Sequence, residues 1–556
     1  GADTLGSRSV AVGRAALATQ NFTSATNVFN TAVGYAAGTA ITTGIKNNLF
    51  GGNAGLALTD ADFNTALGHS ALATDTQGSK STAVGFQALT LQNFTSATDS
   101  HNTAVGYNAG LSVTTGANNT LIGGLAGDSI TTGSSLVAVG KGALDANTTA
   151  SNNTAVGTDA LGANTTGSDN TGLGYAALRD NTTASNNTAV GYFALEENTT
   201  GSENTAVGRA SLFENTTGPS NTAVGMNCML DNTTGGQNTA VGESALSNNT
   251  TAGTNVAVGF QAMNDNTTGA NNVAIGYLAL GNNTTAAGNF AAGYKALEDC
   301  TTGHSNAGSG AYALSNVTTG DKNTGVGYSA GSKITTSDEN TCIGNQAGFE
   351  LTTGADNTFV GSEAGDAVTT GAINVAVGKS AAGDVTTASG IVCLGHQAGL
   401  GQTTTTSNLL YIARSNTSHN NAATWIHGST SGDCYQGDNS STWSTTSDRR
   451  IKKNIVDSST GLTAINNLKI RNFEYKTLAE AESGEEGLNY IDKTGVQTGV
   501  IAQEIQSVFP NSVKTHVGTG TLSVSPDEVQ WALVKAVQEL STKLDAALAR
   551  IATLEG

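Results

Sequence analysis

The chain has 556 residues, too many for one ordinary hydrophobic core, and its composition points to repetition: glycine supplies 71 residues, proline 3, charged residues 12% and aromatics 5%. The net charge of −19 is held unevenly, with residues 1–446 at −17 and the charge-rich residues 447–556 near −2. So acidic a first part cannot replace counterions along a phosphate backbone, which excludes nucleic-acid binding there; no apolar run is long enough to span a bilayer and no basic-then-apolar leader opens the chain, so no membrane insertion is expected.

A block of the form Asn-Thr-Ala-Val-Gly recurs throughout the first 400 residues. Its glycine stands at 13, 34, 51 and on to 395, 23 times in all, and 20 of the 22 intervals are 17 residues. The two exceptions, 13 to 34 and 85 to 106, are 21 residues long and share Gln-Asn-Phe-Thr-Ser-Ala-Thr at 20–26 and 92–98, which predicts a loop bulging from a regular coil. A second punctuation, Asn-Thr-Thr, occurs nine times at the same step from 147 to 283. Two corners per repeat predict strands of about 4–6 residues. Pairs such as Ala160-Leu161 favour helix locally, but the Gly and the Thr-Thr corner in each repeat leave no stretch long enough for one.

These features predict a β-solenoid shaft over residues 1–400, one coil per repeat, about 110 Å long at about 4.8 Å per coil. Equivalent asparagines then stack into amide ladders. The nine Asn-Thr-Thr sites match the N-glycosylation pattern, but they read as turn chemistry, and the same corners account for Thr-Thr columns that would otherwise suggest ice binding.

Five cysteines are present. Cys342 and Cys393 each stand two residues before the repeat glycine and read as small buried side chains, three repeats apart and too distant for a disulfide. Cys228, Cys300 and Cys434 have no metal-ligand spacing, and the Gly-Gly-x-Gly-x-Asp text of calcium-binding solenoids is absent, so neither metal nor cofactor is expected.

The Ala-Val-Gly core resembles the head repeats of trimeric autotransporter adhesins over about residues 9–400. That resemblance implies a mainly β fold, a trimeric left-handed β-roll or β-solenoid of 17-residue repeats. An adhesin of that kind is disfavoured because the chain ends in a helix and not in strands for an outer-membrane barrel.

After Gly401 the period stops, and residues 401–446 read as a closing or tip segment with strands around Leu409–Ile412 and Trp425–His427. Its aromatics, Tyr411, Trp425, His427, Tyr435 and Trp443, are candidates for receptor contact, or equally for the tip's own small core.

From Ser447 the text runs Ser-Asp-Arg-Arg-Ile-Lys-Lys-Asn-Ile, followed by Phe473-Glu474-Tyr475, Gly499-Val500-Ile501-Ala502-Gln503-Glu504, Val508-Phe509-Pro510 and a terminal helix. This ordered set resembles the intramolecular chaperone domain of endosialidase-type tailspikes and phage tail fibres, across essentially all of 447–556. The resemblance implies a small α+β domain that trimerises, guides the fibre upstream and then cuts itself away, with Ser447 as nucleophile and Lys452 as general base. The bond cut is expected at Thr446–Ser447, with Asp448 and Asn454 as supporting residues. The chemistry is sound in itself: a serine hydroxyl attacks when a neighbour takes its proton, and a lysine does so in the neutral form that burial favours.

The last helix is legible without any resemblance. Ser525-Pro526-Asp527-Glu528 reads as an N-cap, a Pro at the first position and a capping-box Glu. From Leu533 the apolar steps Val537, Leu540, Leu544, Ala547, Ile551 and Leu554 alternate four and three, a coiled-coil seam over about 526–556. The expected whole is a homotrimeric virion fibre or spike, joined to other tail proteins through its N-terminal part and meeting a host receptor or glycan. A glycan-degrading tailspike would need facing carboxylates across a cleft, which the even repeats do not offer.

Overall fold

Each 17-residue repeat makes one coil, and each coil gives one three-residue strand to a parallel ladder. In the computed structural model, which describes residues 5–401, 405–413, 424–428, 434–436, 449, 452–476, 494–515 and 522–555, 23 such strands run from Val10–Val12 to Val392–Leu394. They pair in strict register, as Thr188, Ala189 and Val190 do with Thr205, Ala206 and Val207. Strand Leu410–Ala413 adds one more parallel rung, and Thr424–Gly428 and Cys434–Gln436 then fold back antiparallel.

The strands are shorter than the corners alone predict, because the chain leaves extended geometry at the repeat glycine. Gly191 has φ 142, and Phe193 and Leu195 after it are left-handed at φ 59 and 54. Alternating handedness turns successive N–H groups to opposite sides, so Phe193 donates back to Tyr175 O (3.0 Å) while Leu195 donates forward to Ser211 O (2.9 Å). The backbone stays paired without being strand, which offsets the steric cost of left-handed non-glycine residues. Gly191 admits no side chain: a Cβ there would lie 2.4 Å from the Gly208 carbonyl oxygen.

The core is thin. The central strand alanine (Ala189) and the Ala194-Leu195 pair are fully buried, and the same positions recur coil after coil. Two asparagine ladders complete it. In the first, Asn204 takes its backbone N–H to Asn187 Oδ1 (2.9 Å) and its Nδ2 to Gly218 O (2.9 Å). In the second, Asn215 Nδ2 donates to Asn198 Oδ1 (2.9 Å) and Gly218 O (3.0 Å), and Asn232 Nδ2 donates to Asn215 Oδ1 (2.7 Å). All nine Asn-Thr-Thr asparagines belong to this second ladder and are buried, which makes them turn and core residues. Where Cys300 replaces the next asparagine the ladder stops, and Asn283 Oδ1 is left without a partner.

The 21-residue coils are more than bulging loops. Phe22 and Phe94 insert into the interior, and short extra strands pair Gly6–Ser7 with Thr26–Asn27 and Gly78–Ser79 with Thr98–Asp99. Gln20 and Gln92 stand at the ladder position, each accepting from an asparagine in the same coil, Asn30 (3.0 Å) and Asn102 (2.9 Å). Cys228, Cys300, Cys342 and Cys393 are free and buried, and burial pushes their thiols up to about 12.

Contacts divide the chain into residues 1–443 and 444–556. In the second unit a helix Leu462–Asn466 is followed by paired strands Arg471–Phe473 and Gln497–Gly499, a helical turn Ala502–Ile505, paired strands Val513–Thr515 and Leu522–Val524, and a terminal helix Asp527–Glu555. Its small core is Ile505, Phe509 and Ala532, with Ile465, Leu468 and Val508 packed around them. Among the described residues no helix is long and apolar enough to cross a membrane.

Candidate functional site

Ser447, Asp448, Thr446 and Trp443 lie outside the described residues. Downstream, Lys452 is exposed and its backbone N–H closes a turn on the Arg449 carbonyl (3.2 Å). Lys453 and Asn454 are exposed too, and Asn454 is left-handed at φ 55, the conformation asparagine tolerates best after glycine. The predicted base thus sits in an open turn of the single chain.

The segment that follows this turn meets the terminal helix at Leu462. The chain after Asn454 runs exposed to Gly461, where Leu462 donates its N–H to Glu539 Oε2 (3.0 Å), a carboxylate held at the start of helix Leu462–Asn466. A Cβ on Gly461 would lie 2.4 Å from Glu539 Oε1, so a side chain there would push the carboxylate aside. Beside it Ser458, Thr460, Phe509, Pro510 and Trp531 line a cleft of about 340 Å³. The family-like motif residues are structural in this unit: Glu504 receives a two-pronged ion pair from Arg471 (3.0 and 2.7 Å), and Phe509 is buried.

The helix start differs from the expected capping box. Ser525 Oγ donates to Asp527 Oδ2 (3.1 Å), and Glu528 accepts from Asn511 Nδ2 (3.1 Å) and Ser512 Oγ (3.3 Å). Tertiary partners won because Pro510–Ser512 is folded against this helix end. Further along, the helix packs by Val529, Ala532 and Ala536, not by its leucines. Leu533, Val537, Leu540, Leu544, Ile551 and Leu554 are all exposed, at 49% or more.

At the tip, Tyr411 is 2% exposed and stands in the core column next to Cys393. The backbone aligns His427 between Tyr411 and Tyr435 on adjacent strands, and Trp425 lies in the same strand as His427; the side chains of Trp425, His427 and Tyr435 lie outside the described set. Sequence reading missed Glu539, Gly461 and the Arg471–Glu504 pair; only the isolated glycine before a short apolar run hinted at a tight approach.

Residues 447–514 match the family of the chaperone of endosialidase. The matched span opens on Ser447, the expected nucleophile. Over 109 residues the chain is 34% identical to a probable tail fiber protein of Escherichia phage Phieco32, a match covering 19% of this chain and 14% of that protein. No solved structure matches. The parallel solenoid, the chaperone-type domain at the C-terminal end and the tail-fibre relative together fit a phage tail fibre with a C-terminal chaperone.

Proposed function

We propose that the chain is a virion fibre subunit that attaches the particle to its host, gathered into a homotrimer by residues 447–556 and then freed from them by cleavage at Ser447. The observation that carries this reading is the terminal helix: it buries an alanine face in its own domain and leaves a heptad seam of leucines in solvent. From Leu540 onward every described side chain is exposed, and a lone helix of that length is marginal in water. Identical seams closing on one another supply the missing partner.

The shaft gives this module a task. Near-identical coils pair almost equally well one repeat out of step, so a C-terminal clamp that fixes the register first removes a folding trap. In the assembled state Ser447 Oγ attacks the Thr446 carbonyl carbon and gives its proton to the Lys452 amine. The C–N bond breaks as the Ser447 nitrogen takes a proton, and water then hydrolyses the ester. Lys452 is exposed in the single chain, so burial between subunits is what favours its neutral form and makes cleavage wait for assembly. Removing the clamp leaves a shaft that is kinetically trapped in register.

Intact mass of wild type beside Ser447→Ala and Lys452→Ala tests the processing step. Two pieces meeting at Ser447 in wild type, and whole chains in both variants, are expected; an uncut oligomeric wild type overturns the dyad.

A further inference from the structure

The terminal helix has a second exposed apolar flank that the leucine seam does not account for. At 3.6 residues per turn the packed residues Val529, Ala532 and Ala536 lie about 80° to one side of the seam of Leu533, Val537, Leu540 and Leu544, while Val534 and Trp531 lie about 90° and about 150° to the other. Val534 is 48% exposed and Trp531 73%, a whole indole set in water. The flank is apolar only at this level: farther along the helix it carries Gln538, Ser541, Thr542 and Asp545. The patch borders the cleft that Trp531 shares with Ser458, Thr460 and Pro510. From Thr460 back to Lys452 every residue is exposed, Ile455 and Val456 included at 54% and 85%.

We infer that the C-terminal domain of a second copy seats on this flank and closes the cleft, which makes Trp531 a positioning residue for the cut at Ser447. The inference rests on the trimer and the processing proposed above and names the contact that couples them. Each copy carries its own domain on one flank of the helix. Copies turned about a common seam therefore bring the neighbour's domain to the opposite flank, where Val534 and Trp531 stand, and such a head-to-tail contact closes when the ring is complete. The extent of the patch fits this arrangement, being apolar where a domain lies alongside the helix and polar beyond it. A tryptophan at the edge of a cleft is also the side chain that anchors a contact most strongly once water is excluded.

The seam alone would join the helices and leave Lys452 in water. Seating a domain on the Trp531 flank takes water from Ile455, Val456 and the run that leads to Lys452, six residues ahead of Ser458 on the cleft wall. A lysine amine removed from water gives up its proton more readily, and the neutral amine is the form that takes the proton from Ser447.

The test uses the full chain with Trp425→Phe and Trp443→Phe, which leaves Trp531 as its one indole. In an uncut Ser447→Ala background its fluorescence is expected to resist acrylamide in the oligomer and to be quenched freely in the monomer that Leu540→Asp with Leu544→Asp gives. With Ser447 restored, Trp531→Ala is expected to stay trimeric by native mass, its seam being intact, while the cut slows roughly tenfold or more and Trp531→Phe recovers it. An indole quenched alike in oligomer and monomer, or a Trp531→Ala trimer cut at the wild-type rate, overturns the inference and leaves the dyad standing. A shielded indole in a wild-type trimer that is never cut overturns the dyad and leaves the contact standing. A monomeric wild type overturns both.

Discussion

Leu462 donates its backbone N–H to the carboxylate of Glu539 at 3.0 Å, which ties the segment following Lys452 to the helix that carries the leucine seam. On the proposed function, this bond links the segment that carries the cut to the helix that carries assembly. Glu539→Ala leaves a half-buried N–H with a lost charged partner, at a cost of about 1.5–3 kcal/mol to this unit. Gly461→Ala is expected to do the same by displacing that carboxylate, its Cβ falling 2.4 Å from Oε1. Hydrogen exchange of the Leu462 amide reads both: faster exchange in each variant is expected, and unchanged exchange in Gly461→Ala contradicts the link.

The seam leucines are exposed in the single chain, so changing them separates assembly from folding. Leu540→Asp with Leu544→Asp is expected to abolish the oligomer and the cut at Ser447 together, with the core around Ile505 and Phe509 intact. Native mass and intact mass on one sample measure this, and full cleavage of a monomeric variant contradicts assembly-dependent processing.

The asparagine ladder predicts that position outweighs chemistry. Asn215→Leu in the middle strands Asn198 Oδ1 and takes one acceptor from Asn232 Nδ2, costing about 1–3 kcal/mol. Asn283→Val at the end only moves the existing orphan from Asn283 Oδ1 to Asn266 Oδ1 and is near neutral. Equal shifts of the urea midpoint for the two would show that the ladder is not a chain of dependent bonds.

Much of this was legible in the sequence, and the exceptions have physical causes. The 17-residue period predicted one coil per repeat because every repeat glycine meets the next coil's carbonyl, a contact that only glycine allows. Strand length was not legible: Leu195 is left-handed, against its intrinsic preference, and only the neighbouring coil's hydrogen bonds make that worthwhile. Sequence left Tyr411 open between receptor contact and tip core because an aromatic in a short tip segment has no periodic partner in sequence, whereas in the fold it stands in line with Cys393. The 4-3 spacing of the last helix was plain, but its division into a packed alanine face and a bare leucine face needed the docking of Phe509 and Ile505.

Acidity acts on the shaft in a direction set by burial. Burial raises Asp128, Asp145, Glu214, Asp231 and Asp366 above the usual carboxylate range, whereas Lys80 and Lys322 lower Asp99 and Glu339, both fully exposed. A raised carboxylate holds its proton more tightly folded than unfolded, so its contribution is present at low pH and is lost as pH rises through the folded value. The loss therefore begins at the ordinary carboxylate values of 3.8 and 4.5, and the shaft is expected to melt higher near pH 4 than at pH 7. Thermal melts of the shaft signal read this, and a lower melting point near pH 4 contradicts it. In alkali the four thiols pushed up to about 12 add a loss of stability above about pH 9, with the same sign.

The claim that residues 447–556 set the register and are then dispensable is tested most directly by comparing one polypeptide with two histories. Residues 1–446 are obtained once by self-cleavage of the full chain and once by expression with a stop after Thr446, and unfolding rate and native mass are measured on both. The account predicts a uniform, slowly unfolding trimer from the cleaved route and heterogeneous or aggregated material from the direct route. Identical trimers from both routes would contradict it.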